Sequence, residues 1–500
     1  MSNTISQLNY SNYISSFRAH LKQLFREEYD FNALSLNRDL PADFLAKIMD
    51  KKPLSVAIPE IHGGRGVHVK ECLGVLSAAS YESLALSLMF GINIALFLEP
   101  LAKYGNFPVQ ERIFKQFLEN NAMGGLMITE KAYGSDALNM KTSYQQLADS
   151  YKIKGEKHWQ GLSGAADFWL VTARKQAENG DLSRDIDFFV TDNSNANQHI
   201  PMVERYENLG LYAIPYGVNV IDIEVPEEQK LTPESTGIKL MLDMLHRSRL
   251  QFPGMGLGFI KRLLDESLQH CQQRIVSGSP LINIDSVKYQ LARLQAAFTI
   301  NSGMCAFSVK SSGIEHDLAT MSIEANSLKA LVTDLMQESA QISLQLAGAN
   351  GYRLNHLAGR AVVDSRPFQI FEGSNEMLYS QIAEGILKLM KKAKETSLLA
   401  FFKSYSRTNI AYDYFKSQID FNLEGGLNQR DLVTLGRMFA RIICFQFVLE
   451  MEGFNAELVE ITRQHMLMDL TMLNGQFLSK NHANPVVAYE ESADWMSFVS

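Results

Sequence analysis

Hydrophobic periodicity switches twice along this chain, and each switch limits what the neighbouring stretch can become. From Asn9 to about Asn120 apolar residues recur every three or four positions, as in Phe44, Leu45, Ile48 and Met49 and over 72–76 and 84–98, the spacing of one helix face. Between Gly124 and about Pro226 the recurrence shortens to every second residue, as in Tyr151-Lys152-Ile153-Lys154, over 186–190 and in Ile221-Asp222-Ile223-Glu224-Val225. That alternation marks half-buried strands. Helical spacing returns from about Ser235, with Leu257, Ile260, Leu264, Leu268 and Cys271 on one face of a long helix and further helices over 286–307, 324–346 and 375–392.

Turn-forming clusters, Glu178-Asn179-Gly180-Asp181 and Asp192-Asn193-Ser194-Asn195, separate the middle strands, and short strands so punctuated suggest a barrel or sandwich. The expected fold is α+β: an N-terminal helical domain over 1–120, a mostly antiparallel, barrel-like β domain over 121–235, a C-terminal helical bundle over 236–392 and an additional helical extension over 393–500. Two tail helices, over 432–451 and 456–478, carry wide apolar faces: Leu432, Leu435, Phe439, Ile442 and Leu449 on the first, Leu458, Ile461, Met466, Leu470 and Leu473 on the second. Exposed stripes of that size would drive aggregation, so they are expected to pack on the main body or on another subunit.

At 500 residues the chain exceeds one ordinary core, and 46% hydrophobic with 20% charged residues is the balance of a soluble globular protein. A net charge of −8 and a tail without a stripe of Lys and Arg argue against a nucleic-acid partner. The apolar run 84–98 is too short for a membrane span, contains Asn93 and ends in Glu99-Pro100, so it reads as a buried helix. A polar N-terminus lacks the basic region and apolar run of a signal peptide. Cys72, Cys271, Cys305 and Cys444 are scattered without paired spacing, so a reducing cytoplasm is the expected setting, with neither disulfides nor a thiolate metal site. The eleven histidines form no metal-binding array. His62-Gly63-Gly64-Arg65-Gly66 lacks the spacing and the strand-turn-helix context of a dinucleotide loop and reads as a structural turn.

The chemistry is expected in the stretch 366–377, RPFQIFEGSNEM, where Glu372 lies beside Phe368 and Phe371 and before a Gly-Ser-Asn break. Partial desolvation would favour the neutral carboxyl and raise its pKa toward the range of a general base, and Gly373 lets the backbone turn close to a ligand. Taken alone, such a Glu is more often a solvated residue at a helix terminus. Motifs elsewhere in the chain change that weighting.

Tyr104-Gly105 precedes Gly124-Gly125-Leu126-Met127-Ile128-Thr129-Glu130 and Gly134-Ser135-Asp136. Then come Gly155-Glu156-Lys157-His158-Trp159, Leu209-Gly210, Val225-Pro226, Gln345-Leu346-Ala347-Gly348-Ala349-Asn350-Gly351-Tyr352 and Phe371-Glu372-Gly373-Ser374-Asn375-Glu376. In this order, from roughly Pro53 to Met390, the set resembles the acyl-CoA dehydrogenase family of flavoproteins. The resemblance implies an FAD site. Ile128 and Thr129 would face the pyrimidine side of the ring, Gly134 and Ser135 the pyrophosphate, and Trp159 the isoalloxazine beside Gly161, with Ser374 also near the cofactor. Small residues and hydroxyls there allow close backbone approach and offer donors. Arg274, Gln345, Gly348 and Ala349 would reach the flavin of a neighbouring subunit, Arg274 as a fixed positive donor to phosphate. Ser135, Phe371 and Gly373 would contact the thioester, and Arg249, at the beginning of the long helix, would lie beside the catalytic Glu372.

Several positions depart from the family pattern. Lys131 stands for Pro, Ser277 for Phe, Asp285 for Gln and Ala349 for Gly, while Gly161 stands for a Thr whose hydroxyl reaches the reactive flavin nitrogen. Arg247 is placed where some branches carry their base instead, which leaves Glu372 as the matched candidate.

What the resemblance implies is an FAD-dependent oxidation of the α,β bond of an acyl-CoA thioester to a trans-2-enoyl thioester, Glu372 taking the α-proton and the flavin the hydride. The thioester oxygen would be held by a backbone N–H at the Glu and a flavin ribityl hydroxyl as enolate character develops. An acyl-carrier-protein substrate is the alternative, and a flavin-binding scaffold without dehydrogenation a distant third. An electron-transfer flavoprotein as acceptor and a homodimer or homotetramer complete the expectation, with no metal, nucleic acid or membrane span.

Overall fold

The computed structural model describes residues 8–423, 425–479, 484–489 and 495–499. The segment 1–7, part of the polar N-terminus noted above, lies outside the described residues, as do 480–483, 490–494 and the last residue of the tail.

Helical spacing in the first part becomes α1 (Tyr10–Gln23), α2 (Val69–Glu82), α3 (Leu84–Tyr104) and α4 (Phe107–Asn120), with short helices between. Ser83 starts α3 by accepting the N–H of Leu86, the usual work of an N-terminal hydroxyl. The polar Asn93 in this apolar helix is fully satisfied: its Oδ1 accepts the N–H of Gly124 at 2.7 Å and its Nδ2 donates to the Met89 carbonyl at 2.8 Å. It thereby ties the helical part to the first strand. Both α3 and the tail helix Gln429–Leu449 are long and apolar enough to cross a membrane, yet 94% and 72% of their most apolar windows are buried within this body. The glycine-rich turn is structural, as read: a Cβ at Gly64 would fall 2.0 Å from the Ile58 carbonyl.

Alternating residues form β1 (Gly124–Met127), β2 (Ser143–Gln146), β3 (Ser150–His158), β4 (Phe168–Lys175), β5 (Asp187–Asp192), β6 (Met202–Arg205) and β7 (Gly217–Pro226). They make one curled sheet in the order β1-β4-β2-β3-β7-β6, with β5 also on β4. The pairings β2–β3, β3–β7, β6–β7 and β4–β5 are antiparallel, but β1 and β2 both run parallel to β4. Alternation reports which face is buried and is blind to strand direction, so these two parallel ladders were not visible in the pattern. Phe168 of β4 stacks with Phe97 and Phe117 at 6.3 and 6.1 Å, joining the sheet to α3 and α4.

The last part contains α5 (Gly237–Gln273), α6 (Asp285–Ser311), α7 (Ser322–Ala347), α8 (Leu357–Ser365) and α9 (Asn375–Ala393), and the tail adds α10 (Gln429–Leu449) and α11 (Ala456–Leu478). One expectation is corrected here. Arg249 does not begin the long helix but lies in its buried interior, because α5 starts at Gly237 under the Thr236 cap.

The tail packs on the main body. Leu435, Phe439, Ile442 and Leu470 are fully buried, while Leu432, Leu449, Leu458, Ile461 and Leu473 are half-buried. Gly436 is what allows α10 to cross α9 so closely: a Cβ there would sit 1.9 Å from the Tyr379 carbonyl. Phe307 of α6 and Phe447 of α10 stack at 4.0 Å. Asp469 of α11 receives Arg441 at 3.0 Å and Arg293 at 2.9 Å, and Arg293 also holds Glu338 at 2.6 Å. Two neighbouring arginines keep the Asp469 carboxyl below its ordinary pKa even though burial pushes it up. A depressed carboxylate contributes stability above its unfolded pKa and loses it as pH falls through the folded value. We therefore expect Asp469→Ala to cost about 3 kcal/mol in a denaturant melt at neutral pH, since it leaves the largely buried Arg441 without a carboxylate while Arg293 keeps only Glu338. The gap to wild type should shrink on acidification, and a pH-independent gap would contradict the assignment.

Candidate active site

Between Phe371 and Asn375 the chain turns through left-handed backbone, with φ of +52° at Glu372 and +95° at Gly373. For a Glu this conformation costs roughly 1–2 kcal/mol, so other groups must hold it. Arg249 of α5 donates Nε and Nη2 to the Glu372 carbonyl at 3.2 and 2.8 Å, and its Nη1 to Asn326 Oδ1 at 2.7 Å. Lys329 of α7 donates to the next carbonyl, Gly373, at 2.8 Å, and to Asn375 Oδ1 at 3.1 Å. Position 373 needs glycine twice over, for its φ and because a Cβ would meet Met377 Cε at 2.9 Å and Leu378 Cδ2 at 3.0 Å. Ser374 then caps α9 by accepting the N–H of Met377.

Glu372 itself is half-buried. Oε1 accepts from Ser248 Oγ at 2.9 Å, and Oε2 is sealed from solvent without a hydrogen-bond partner. Burial raises the carboxyl above its ordinary pKa, with Arg249, the Ser248 hydroxyl and Lys329 pulling back. The aromatic surround is larger than the sequence suggested: Phe368 lies 4.9 Å from Phe371, and Phe252 of α5 lies 6.0 and 6.1 Å from the two. Arg247 makes its hydrogen bonds elsewhere. Its guanidinium turns to the carbonyls of Ser312, Gly313 and His316 and to Asp243, and Ser248 is the α5 side chain that touches Glu372.

A second group gathers Ile128, Thr129, Trp159 and Gly161. The Thr129 carbonyl accepts the His158 N–H at 2.8 Å and Gln160 Nε2 at 3.1 Å. Beneath them the buried Lys157 pairs with Glu130 at 3.1 Å and donates to the Ile128 carbonyl, so two motifs far apart in sequence are locked by one ion pair. Trp159 has φ of +62° and is 57% exposed, resting on Tyr206 at 4.4 Å. Gly134 and Ser135 lie open nearby in sequence, with nothing within 4 Å of a Cβ at Gly134. At Gly161, by contrast, a Cβ would fall 2.6 Å from Ile92 Cδ1, 3.4 Å from Ile214 and 3.6 Å from Tyr216. The space of the usual hydroxyl is filled by Ile92 of α3. The neighbouring Gly91 faces Met255 of α5, so α3 separates this group from the long helix that carries Ser248 and Arg249.

A third group, Arg274, Gln345, Gly348 and Ala349, is exposed at the far ends of α5 and α7. Arg274 lies 25 residues beyond Arg249 on nearly continuous helix, roughly 37 Å at 1.5 Å per residue. That is further than one bound dinucleotide would bridge from Glu372. Ser277 and Gly278 form the turn of a short hairpin, both at positive φ, as a tight two-residue turn requires. Asp285 opens α6, where a carboxylate suits the helix N-terminus.

Sequence reading missed Ser248, Asn326, Lys329 and Ile92. Ser248 adjoins the Arg249 already singled out, and a Lys set in the apolar run Leu328-Lys329-Ala330-Leu331-Val332 was a readable anomaly.

A helical part, a curled sheet and a helical bundle with a carboxylate held on a strained turn are the features that comparison with known proteins can test. The N-terminal, middle and C-terminal domains of acyl-CoA dehydrogenase match residues 14–121, 125–221 and 235–387, and the chain belongs to the acyl-CoA dehydrogenase family. Homologues in this family are oxidoreductases acting on CH–CH bonds and bind FAD. The chain is 23% identical to an acyl-CoA dehydrogenase of Bacillus subtilis over 68% of its own length and 88% of that protein. Among solved structures, butyryl-CoA dehydrogenase of Megasphaera elsdenii aligns with a TM-score of 0.67 and 19% identity, over 76% of this chain and all of the other. An acyl-CoA dehydrogenase of Bacillus anthracis complexed with FAD aligns with a TM-score of 0.72 and 17% identity over 97% of this chain and 91% of that one, a coverage that includes the tail helices.

The Gly161 geometry makes a specific expectation. Gly161→Thr alone should weaken FAD retention or broaden the flavin absorbance bands, because Ile92 must move. Adding Ile92→Ala should restore both, since the facing space is then free. If Gly161→Thr retains FAD with an unchanged spectrum, Ile92 is not the obstacle.

Proposed function

We propose that this chain is an FAD-dependent acyl-thioester dehydrogenase in which Glu372 removes the α-proton. The observation that carries the reading is the sealed, unpartnered Oε2 of Glu372 on a backbone turn held by Arg249. Ser248 engages Oε1 and so fixes which carboxylate oxygen is left to accept a proton. The apolar side given by Phe252, Phe368 and Phe371 favours the neutral carboxyl that results from the transfer.

The residues present fit a flavin. Trp159 offers an exposed aromatic face, Gly134 an open backbone and Thr129 and Ser135 hydroxyls. Bound FAD would supply the two-electron acceptor for the β-hydride. Arg274, exposed and without a side-chain hydrogen bond or ion pair among the described residues, is a free cation at the remote end of α5. Its distance from Glu372 supports a role at a second subunit's FAD, hence a homodimer or larger assembly. The thioester is carried by CoA or by a carrier protein, with an electron-transfer flavoprotein as the proposed acceptor.

Purified protein should be yellow, with about one FAD per chain. Mixing it with a panel of acyl-CoA and acyl-carrier thioesters should bleach the flavin band and identify the carrier. Glu372→Gln should keep FAD while slowing that bleaching by roughly 100-fold or more. Near-normal bleaching in this variant would place the base elsewhere.

A further inference from the structure

Lys329 is a buried cation that the chemistry above does not use. It is fully enclosed on α7, and among the described residues no carboxylate lies within ion-pair distance of its ammonium. Its hydrogen bonds go instead to the Gly373 carbonyl at 2.8 Å and Asn375 Oδ1 at 3.1 Å, with the Phe252 ring centroid 6.0 Å away. Burying an ammonium on neutral acceptors alone is costly, and a Met would fill the same space without that cost. The charge therefore has to serve something nearby, and the turn whose carbonyl it grips carries Glu372.

We infer that Lys329 is a positioning residue for Glu372: it fixes the Gly373 carbonyl and supplies, from the α7 side, a positive charge that holds the carboxylate ionised until the α-proton arrives. The inference rests on Glu372 being the base. Arg249 grips one carbonyl of the left-handed turn and Lys329 the next, so two helices each contribute one cation to two consecutive peptide groups. The charged groups around Lys329 are Glu372 and Arg249 at the turn, Asp334 further along α7 and Glu376 on α9. From α10, Arg437 engages Glu376 and Arg441 acts on the Tyr379–Asp334 pair.

Burial brings Lys329 itself down to about 7, with Glu372 opposing that fall. Below that pH its charge is present and lowers the pKa of Glu372, and as pH rises through 7 the charge is lost and its pull on Glu372 with it. The effect of removing it is therefore confined to the acidic side.

The test uses full-length, FAD-loaded protein and single-turnover flavin bleaching by butyryl-CoA and octanoyl-CoA from pH 5 to 9. Lys329→Gln keeps a donor for Gly373 but removes the charge. We expect its apparent pKa to rise by about one unit and its rate at pH 6 to fall about tenfold, with little change at pH 8. Lys329→Arg should restore the acidic limb. An unchanged profile, or an equal loss at every pH with no rescue by Arg, overturns the inference and leaves a purely structural lysine. A second arm needs neither substrate nor Lys329→Gln. In protein carrying 13Cε-lysine, the Lys329 resonance, assigned by its loss in Lys329→Arg, should titrate about one unit lower in Glu372→Gln than in wild type, because coupling between two sites is reciprocal. No shift overturns the coupling even if the Gln variant fails to fold. Normal bleaching by Glu372→Gln would instead remove the base assignment, which the lysine titration does not depend on.

Discussion

The arrangement at Glu372 depends on holding two consecutive residues in left-handed backbone, one of them not glycine. Turning both carbonyls inward, onto Arg249 and Lys329, exchanges a local conformational cost for charge-assisted hydrogen bonds. That exchange requires two helices at fixed separation. Arg249 and Asn326 supply the link, since one guanidinium spans the Glu372 carbonyl and the α7 side chain. The site is thus a property of the α5–α7 seam and not of the loop that carries Glu372.

Support extends outward from the turn to the tail. Asn375 donates to Asp334 Oδ1 at 2.7 Å, Tyr379 donates to Asp334 Oδ2 at 2.7 Å, and the Arg437 guanidinium lies 5.6 Å from the Tyr379 ring. Gly436 brings α10 onto the same tyrosine's carbonyl. A helix that follows the Glu372 turn in sequence therefore braces the helix that begins at that turn. The buried Arg441–Asp469–Arg293 cluster fixes α10 and α11 to α6, so displacement of the tail would be transmitted to α9. Among the described residues the tail gives no side-chain hydrogen bond to the turn itself, only its backing.

The middle sheet and α3 meet the site from the opposite side. The Lys157–Glu130 pair sets the relative position of Thr129 and Trp159, and Ile92 fills the niche at Gly161. Glycine at 161 and the Ile92 side-chain tip against it form one packing arrangement, because a Cβ at 161 would require that tip to shift. Asp364 of α8 extends the same logic, accepting the Leu211 N–H at 2.7 Å and holding the loop that carries Ile214 into this niche.

The sequence alone determined the helix–sheet–helix order, the apolar faces of the tail and the glycine at 373, because periodicity and backbone freedom are local properties. Resemblance added Glu372, Arg249 and the residues around Thr129 and Trp159 as an ordered set. Tertiary structure decided the rest. Ser248 meets Glu372 across 124 positions and Lys329 meets Gly373 across 44, and no local pattern encodes which of the adjacent Arg247, Ser248 and Arg249 faces the turn when all three are buried. Parallel pairing of β1 and β2 with β4 escaped for the same reason, since alternation is identical in either direction. Periodicity says which side of an element is buried, and only packing says against what.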